Sequence, residues 1–289
     1  MITNPSVPAG KKVRVFLAAA GCLFFLANRA LAISAEQIDT FEDGTTMNWR
    51  EGGSPNEPTN VSTGGPNGAG DAFLRDLSSG NFGAGGRMVM LNTTQWAGNY
   101  TASGISRITA DMANFGSTTL HMRIAVRRGS TQGVPAYAST SAIVLPADGI
   151  WRSLTFDLTS STMTNVAGAN TLATVLANVL ELRILSAAAG PNDMGDVIAG
   201  TLGVDNIRAV GTRITQIVFV GNVPRIRFTT ITGRSYRVER KNSLTDANWL
   251  VLSNATNVAG TGGEVDVDDI EPGAGNLPSR FYRVVLLPP

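Results

Sequence analysis

The apolar residues of this chain come in short alternating runs, each closed within a few residues by Gly, Asn, Asp or Pro. That pattern has the period of strands buried on one side and leaves little room for helix. Runs of this kind fall at 38–41, 71–74, 87–91, 105–112, 120–127, 137–144, 151–158, 179–185 and 203–210. In the last of them Leu202, Val204, Ile207 and Val210 define one buried face, and the slip between Val204 and Ile207 predicts a bulge at Asp205-Asn206. In 120–127, Leu120, Met122, Ile124 and Val126 alternate with His121, Arg123, Ala125 and Arg127. Leu180, Leu182 and Ile184 alternate with Glu181 and Arg183 in the same way, so both strands read as having one wet face. Residues 51–70 are almost free of apolar side chains and read as a long surface loop. Leu172, Val175, Leu176 and Val179 stand at helical spacing behind Asn170-Thr171, which predicts one short capped helix.

A second apolar pattern starts near Ile214 and runs through Phe228, Tyr236, Val238, Trp249, Val267 and Phe281, with a turn at Gly221-Asn222. The reading is therefore all-β: a larger β-sandwich over 33–211 followed by a smaller one over 212–289, with Gly211-Thr212-Arg213 as linker. The 32 Gly and 13 Pro suit the many tight turns this needs. Residues 1–32 are set apart as a signal peptide, because Lys11, Lys12 and Arg14 precede an apolar run from Val15 to Ala27 and Ala30-Leu31-Ala32 offers a cleavage site. The run is too short to span a bilayer, which takes about 18 apolar residues or more. A secreted, cell-surface or periplasmic protein with no membrane span after processing is expected, and export without disulfides points to a bacterial source.

Cleavage after Ala32 removes four basic groups and the sole cysteine, Cys22, leaving 19 basic against 22 acidic residues. A nucleic-acid partner needs a clustered positive excess, which such a chain lacks. Thiol chemistry leaves with Cys22. His121 is the only histidine, so catalytic triads and multi-histidine zinc sites have too few ligands. Lys241 sits beside Arg240 in a turn-rich stretch, and Gly83-Ala84-Gly85-Gly86 lacks the Lys and Ser or Thr of a phosphate loop. Carboxylates remain: Glu57, Asp71, Asp76, Asp193 and Asp196 lie in or near loops, where a glycosidase would need two facing each other across a cleft and turn formation would equally use them. Trp96 and Tyr100, in a polar Asn/Gln/Thr/Gly segment, are the candidate ligand-binding residues, as platforms for the C–H faces of a sugar. The competing reading has the two rings capping the sandwich core.

Phe41-Glu42-Asp43-Gly44 with Trp49, and Val204-Asp205-Asn206-Ile207, resemble the two ends of galactose-binding-like jelly rolls, the group that includes many carbohydrate-binding modules. Gly64 to Asp71, Gln95 to Tyr100 and Leu120 to Ile124 resemble laminin-B-like modules of exported bacterial proteins. The second unit, through Gly233-Arg234-Ser235-Tyr236-Arg237-Val238-Glu239, Trp249 and Arg280-Phe281-Tyr282-Arg283-Val284, is similar to a small domain at the C-termini of exported proteins of Verrucomicrobia and Planctomycetes, for which attachment or export is the usual guess. The first resemblance implies a jelly roll over roughly 36–210, a polysaccharide or cell-surface glycan as partner, and a structural calcium ion shared by Glu42 and Asp205 with Asp43 in reserve. The expected function is exported, non-catalytic carbohydrate binding. The alternatives are a structural or adhesive envelope protein and, more remotely, an extracellular glycosidase or polysaccharide lyase.

Overall fold

A computed structural model describes residues 33–52 and 56–287, so the expected signal peptide lies outside the described residues. The first unit is built from β1 (Ile38–Asp39), β2 (Thr59–Val61), β3 (Phe73–Ser79), β4 (Val89–Asn92), β5 (Ile105–Asn114), β6 (Leu120–Arg127), β7 (Ala136–Ser139), β8 (Ile143–Leu145), β9 (Arg152–Asp157), β10 (Met163–Ala167), a short helix α1 (Leu172–Leu176), β11 (Glu181–Ser186) and β12 (Ala199–Gly211). One sheet has the order β2-β3-β12-β5-β9 with β1 beside β12; the facing sheet has the order β10-β7-β6-β11-β4 with β8 beside β6. Between them lies one apolar core to which both sheets contribute, including Leu74, Met88, Ile108, Met112, Leu120, Ile124, Leu182, Leu202, Val204 and Ile207.

Three features follow directly from the residues. Thr171 caps α1, its hydroxyl accepting from the Thr174 amide. The bulge in β12 is present: the register against β5 shifts between Asp205 and Arg208, and Asn206 takes a left-handed φ of 49°. Past the bulge the two-residue period resumes from Ile207, so Ala209 is buried, and Val210, expected inward, is half-exposed. The run 137–144 is not one strand. It breaks into β7 and β8, which pair successive parts of the same edge of β6, and Arg123 Nη1 donates to the Ser139 and Thr140 carbonyls at the step between them.

The expected wet face of β6 and β11 is covered. Arg127 and Glu181 are fully buried and Arg123 nearly so, because chain from the 128–135 and 187–195 segments folds over the outer side of the sheet. Arg127 pairs with Glu181 at 2.6 Å and with Asp193 at 2.9 Å and donates to the Thr131 carbonyl. Arg183 pairs with the same Glu181 and donates to the Asp193 carbonyl, while Arg123 Nε donates to the Ala187 carbonyl. Burial lowers the pKa of Arg183 and of Arg123, partly offset by the nearby carboxylates. Breaking such a network by removing one partner leaves an uncompensated charge and costs about 3–5 kcal/mol.

The second unit contains β13 (Ile214–Val220), β14 (Val223–Thr229), β15 (Ser235–Lys241), β16 (Leu250–Val251), β17 (Val258–Ala259), β18 (Glu264–Asp268) and β19 (Phe281–Leu286). They form a sheet of order β13-β14-β18 and a second of order β16-β15-β17 with β19 beside β15. Ile226, Phe228, Tyr236, Val238, Leu252, Ala255 and Val267 fill a separate small core. The 211–213 segment is hydrogen-bonded on both sides, Thr212 N to the Gly104 carbonyl and Arg213 N to Thr229 Oγ1.

One core-side group stands out for its chemistry. Asp76 pairs across from Leu202, on the buried side of β3, and is fully buried. Burial, then the negative charge of Glu51 and of Glu57, pushes its pKa well above the usual carboxylate range. A raised folded-state pKa gives stability that is complete below the unfolded value of about 3.9 and is lost as pH rises through the folded value. The expected outcome is that wild type loses urea stability relative to Asp76→Asn as pH is raised from 4 towards neutrality. A wild-type minus variant difference that does not change with pH would contradict this origin.

Candidate functional site

Strand β1 ends at Asp39, whose backbone pairs with Ile207 just past the bulge of β12. The chain then reverses between 41 and 48, and the reversal is strained: Phe41, Met47 and Asn48 are three of the five described non-glycine residues with left-handed φ, and Glu36 is a fourth, just upstream. Such backbone persists only where its surroundings hold it. Here Phe41 is buried, Asn60 Nδ2 donates to the carbonyls of Phe41 and Thr45, and Asn92 Nδ2 and Gln95 Nε2 donate to the Met47 carbonyl. Gly44, with φ of 75°, serves the tight turn closed by its amide on the Phe41 carbonyl.

The carboxylate of Asp39 lies beneath this reversal. Its Oδ2 accepts from Trp49 Nε1 at 2.8 Å, Trp96 Nε1 at 2.7 Å and Gln95 Nε2 at 3.0 Å. The two indoles lie with centroids 6.0 Å apart and planes tilted by 52°, both inside the core. Burial raises the Asp39 pKa; the hydrogen bonds from Trp96, Trp49 and Gln95 pull it back without cancelling the rise, and Asp43 adds a small upward push.

Above Asp39 opens a cleft of about 670 Å³ lined by Gln37, Asp39, Asp43, Met47, Asn48 and Gln95, with Ser34, Ile38, Thr45 and Thr94. Its amides are held in place: Gln37 Nε2 donates to the Gln95 carbonyl, and Asn48 Nδ2 lies 3.3 Å from Gln95 Oε1. Amide donors and acceptors, two carboxylates and hydroxyls around an apolar Met and Ile suit a ligand with many hydroxyl groups and small apolar faces.

The structure corrects the assignment of Trp96 and Tyr100. Both are fully buried, so neither presents a face to a ligand. The Trp96 N–H is taken up by Asp39, and the Tyr100 hydroxyl donates to the Trp96 carbonyl at 3.0 Å, with burial driving its pKa up. The neighbours Thr94 and Gln95, from the same polar segment, do line the cleft. The residues missed in the sequence are Asp39, Gln37 and Asn48. Their signal was one acidic residue in the first strand together with two tryptophans, each of which needs an acceptor when buried.

The metal candidates divide. Glu42 Oε1 accepts from the Ala72 amide at 2.9 Å, and Asp205, nearly fully buried, accepts from the Asn206 amide at 2.7 Å and from Asn206 Nδ2 at 3.0 Å. Burial, with added negative charge from Asp71, Asp111 and Glu42, pushes the Asp205 pKa up to about 7. Glu42 and Asp205 therefore share one acidic neighbourhood. Asp43 does not figure in it: its carboxylate accepts from the Thr45 amide and hydroxyl at the cleft. Among the described residues no group of three or more His, Cys, Asp or Glu is gathered that could hold a metal.

Of the other carboxylates, Glu57 accepts from the Glu51 amide, Asp71 from that of Asn67 and Asp196 from that of Ala188, while Asp193 pairs with Arg127. His121 is half-buried on the outer side of β6. Lys241 Nζ donates to the Asp246 carbonyl and lies 5.3 Å from the Trp249 ring centroid.

No family model matches the chain, and a search of curated proteins returns no match. Among solved structures, a family 11 carbohydrate-binding module from Clostridium thermocellum in complex with a β-1,3-1,4-mixed-linked tetrasaccharide is 16% identical with a TM-score of 0.39, over 62% of this chain and 96% of that one. The CBM22-1 xylan-binding domain from Paenibacillus barcinonensis Xyn10C is 16% identical with a TM-score of 0.35, over 62% and 97%. An exo-β-agarase is 13% identical with a TM-score of 0.40, over 61% of this chain and 25% of that one. Overlaps this loose assign the chain neither a family nor a ligand.

Proposed function

We propose that this chain is an exported, non-catalytic protein that binds a polysaccharide or cell-surface glycan in the cleft over Asp39, its second unit serving attachment or export. The observation that carries the reading is the cleft itself, where immobilised amides and carboxylates rim a hollow large enough for one or two sugar rings. Asp39 and Asp43 are its two carboxylates. Asp39 acts as the acceptor for two indoles and an amide, which suits an anchor of the site better than a proton donor. We read the site as binding for that reason.

The full chain should be retained by at least one glycan on a broad array; Asn48→Ala should weaken that retention about tenfold, the effect of losing one well-placed hydrogen bond, and Gln95→Ala at least as much, because its side chain also holds Asp39, the Met47 carbonyl and Asn48. Retention unaltered in both variants would move the ligand elsewhere. Binding of no glycan favours the structural or adhesive reading, and release of reducing ends from a retained glycan favours the hydrolase.

Export rests on the leader pattern of residues 1–32. N-terminal sequencing of protein recovered outside the cytoplasm should begin at Ile33; recovery with Met1 or a lipid-modified Cys22 would reject the cleavage site.

We further propose a structural calcium ion held by Glu42 and Asp205, without Asp43. What supports it is charge: burial and, after it, the negative charge of Asp71, Asp111 and Glu42 raise the Asp205 pKa, and a divalent cation bound to its carboxylate would offset both. Two carboxylates leave most of a six- to eight-oxygen shell to backbone carbonyls and water. Chelation should then lower the melting temperature of wild type and leave Asp205→Ala unaffected. An unaltered wild-type melt, or a chelator response that survives Asp205→Ala, removes the ion.

A further inference from the structure

The second unit treats the two edges of its three-stranded sheet differently. The β18 edge carries Glu264, Asp266 and Asp268, the last two paired with Arg227 and Arg225 of β14, and charged side chains on an edge discourage pairing with another chain. The β13 edge carries none: from Ile214 to Pro224 there is no charged residue. Among the described residues no strand pairs with the outer side of β13.

Register with β14 fixes which groups of β13 are open. Ile217 lies opposite Ile226 and Phe219 opposite Pro224. Ile226 is in the core, so Ile217 and Phe219 point to the core side of the sheet, yet they are 47% and 63% exposed. The sheet overhangs its cover at this edge. Pro224 has no N–H, so the Phe219–Pro224 pair cannot exchange two hydrogen bonds, and it must be the non-hydrogen-bonded pair of the ladder. The two-residue hairpin loop at Gly221-Asn222 requires the same phase, since Val220 and Val223 close it as a hydrogen-bonded pair. It follows that the N–H and C=O groups of Phe219, and two residues earlier of Ile217, face outward from the edge.

We propose that two copies of this chain pair through β13, antiparallel, about a two-fold axis at Val218. In that register Ile217 of each copy lies opposite Phe219 of the other, so the outward backbone groups meet as hydrogen-bonded pairs on both sides of the axis. The same pairing sets the two overhanging apolar side chains of each copy against those of the other, on one face. Gln216 faces Val220, and Val218 faces its own copy. A second copy is the occupant because the strand is complementary to itself in this register: it supplies backbone donors, acceptors and apolar side chains at matching places, with no charge to bury. The interface is isologous, so it closes as a dimer and does not propagate. This proposal is independent of the glycan reading.

The test uses the full chain carrying Cys22→Ser, in which an added cysteine is the only thiol. At the axis the two Val218 positions form a non-hydrogen-bonded pair with Cα atoms about 4.5 Å apart, within disulfide range. Val218→Cys should therefore cross-link to a dimer on mild oxidation, and Thr215→Cys, which faces Gly221 of the other copy, should not. In sedimentation velocity wild type should dimerise at micromolar to submillimolar concentration. Ile217→Lys and Phe219→Glu should each weaken the dimer at least about tenfold. The double variant Ile217→Lys/Phe219→Glu sets an ammonium opposite a carboxylate in both pairs and should restore association. A wild-type monomer throughout that range, equal cross-linking at 215 and 218, or a double variant weaker than both single variants would overturn the proposal.

Discussion

A carboxylate inside an apolar core is costly unless its lone pairs are engaged, and in this chain that requirement is met at Asp39 by two indole N–H groups and an amide. The contact joins three stretches that share no long strand: β1, the reversal that ends at Trp49, and the segment around Trp96. Through the backbone pairing of Asp39 with Ile207 it also fastens them to β12, the strand on which the first sheet is centred. The left-handed residues of the reversal are held by side-chain amides of Asn60, Asn92 and Gln95. The walls of the cleft are therefore held by the protein's own hydrogen bonds.

The alternation in β6 and β11, the cap on α1 and the bulge in β12 were legible because each depends on residues close in sequence. What could not be read was the use made of the polar side of those strands. Alternation separates apolar from polar positions, and it does not distinguish a polar side that meets water from one that meets returning chain. Arg123, Arg127 and Arg183 instead use planar guanidinium groups to take up the carbonyls of returning loops, a role that appears only when residues such as Thr131, Ala187 and Asp193 are brought back over the sheet. Trp96 shows the same limit in reverse. Its polar neighbours suggested exposure, while the acceptor that allows its burial lies far away in sequence, at Asp39.

Both units bury some charge and leave other ion pairs at the surface. The first buries charge under loops. The second buries the Arg280–Asp269 pair and the Glu239 carboxylate, and also carries partly exposed bidentate Arg225–Asp268 and Arg227–Asp266 contacts between neighbouring strands at 2.7–2.9 Å. Pairs exposed to that extent contribute little to stability, of the order of 1 kcal/mol or less, and are better understood as fixing which residues of β14 and β18 stand opposite each other.

The bulge at Asp205-Asn206 also sets how the chain can vary over evolutionary time. On its N-terminal side the buried apolar side chains of β12 are those of Leu202 and Val204; on its C-terminal side they are those of Ile207 and Ala209, in the opposite phase. A residue inserted or lost elsewhere in the strand before Val210, where the register against β5 shifts a second time, would exchange inside for outside from there onward. At 205–206 the ladder is already out of step with β5, so a change in length there can be absorbed by the irregularity itself. In distant relatives of this chain, gaps in the closing strand should therefore gather at this one point, and an alignment that places them elsewhere would misassign which side chains face the core.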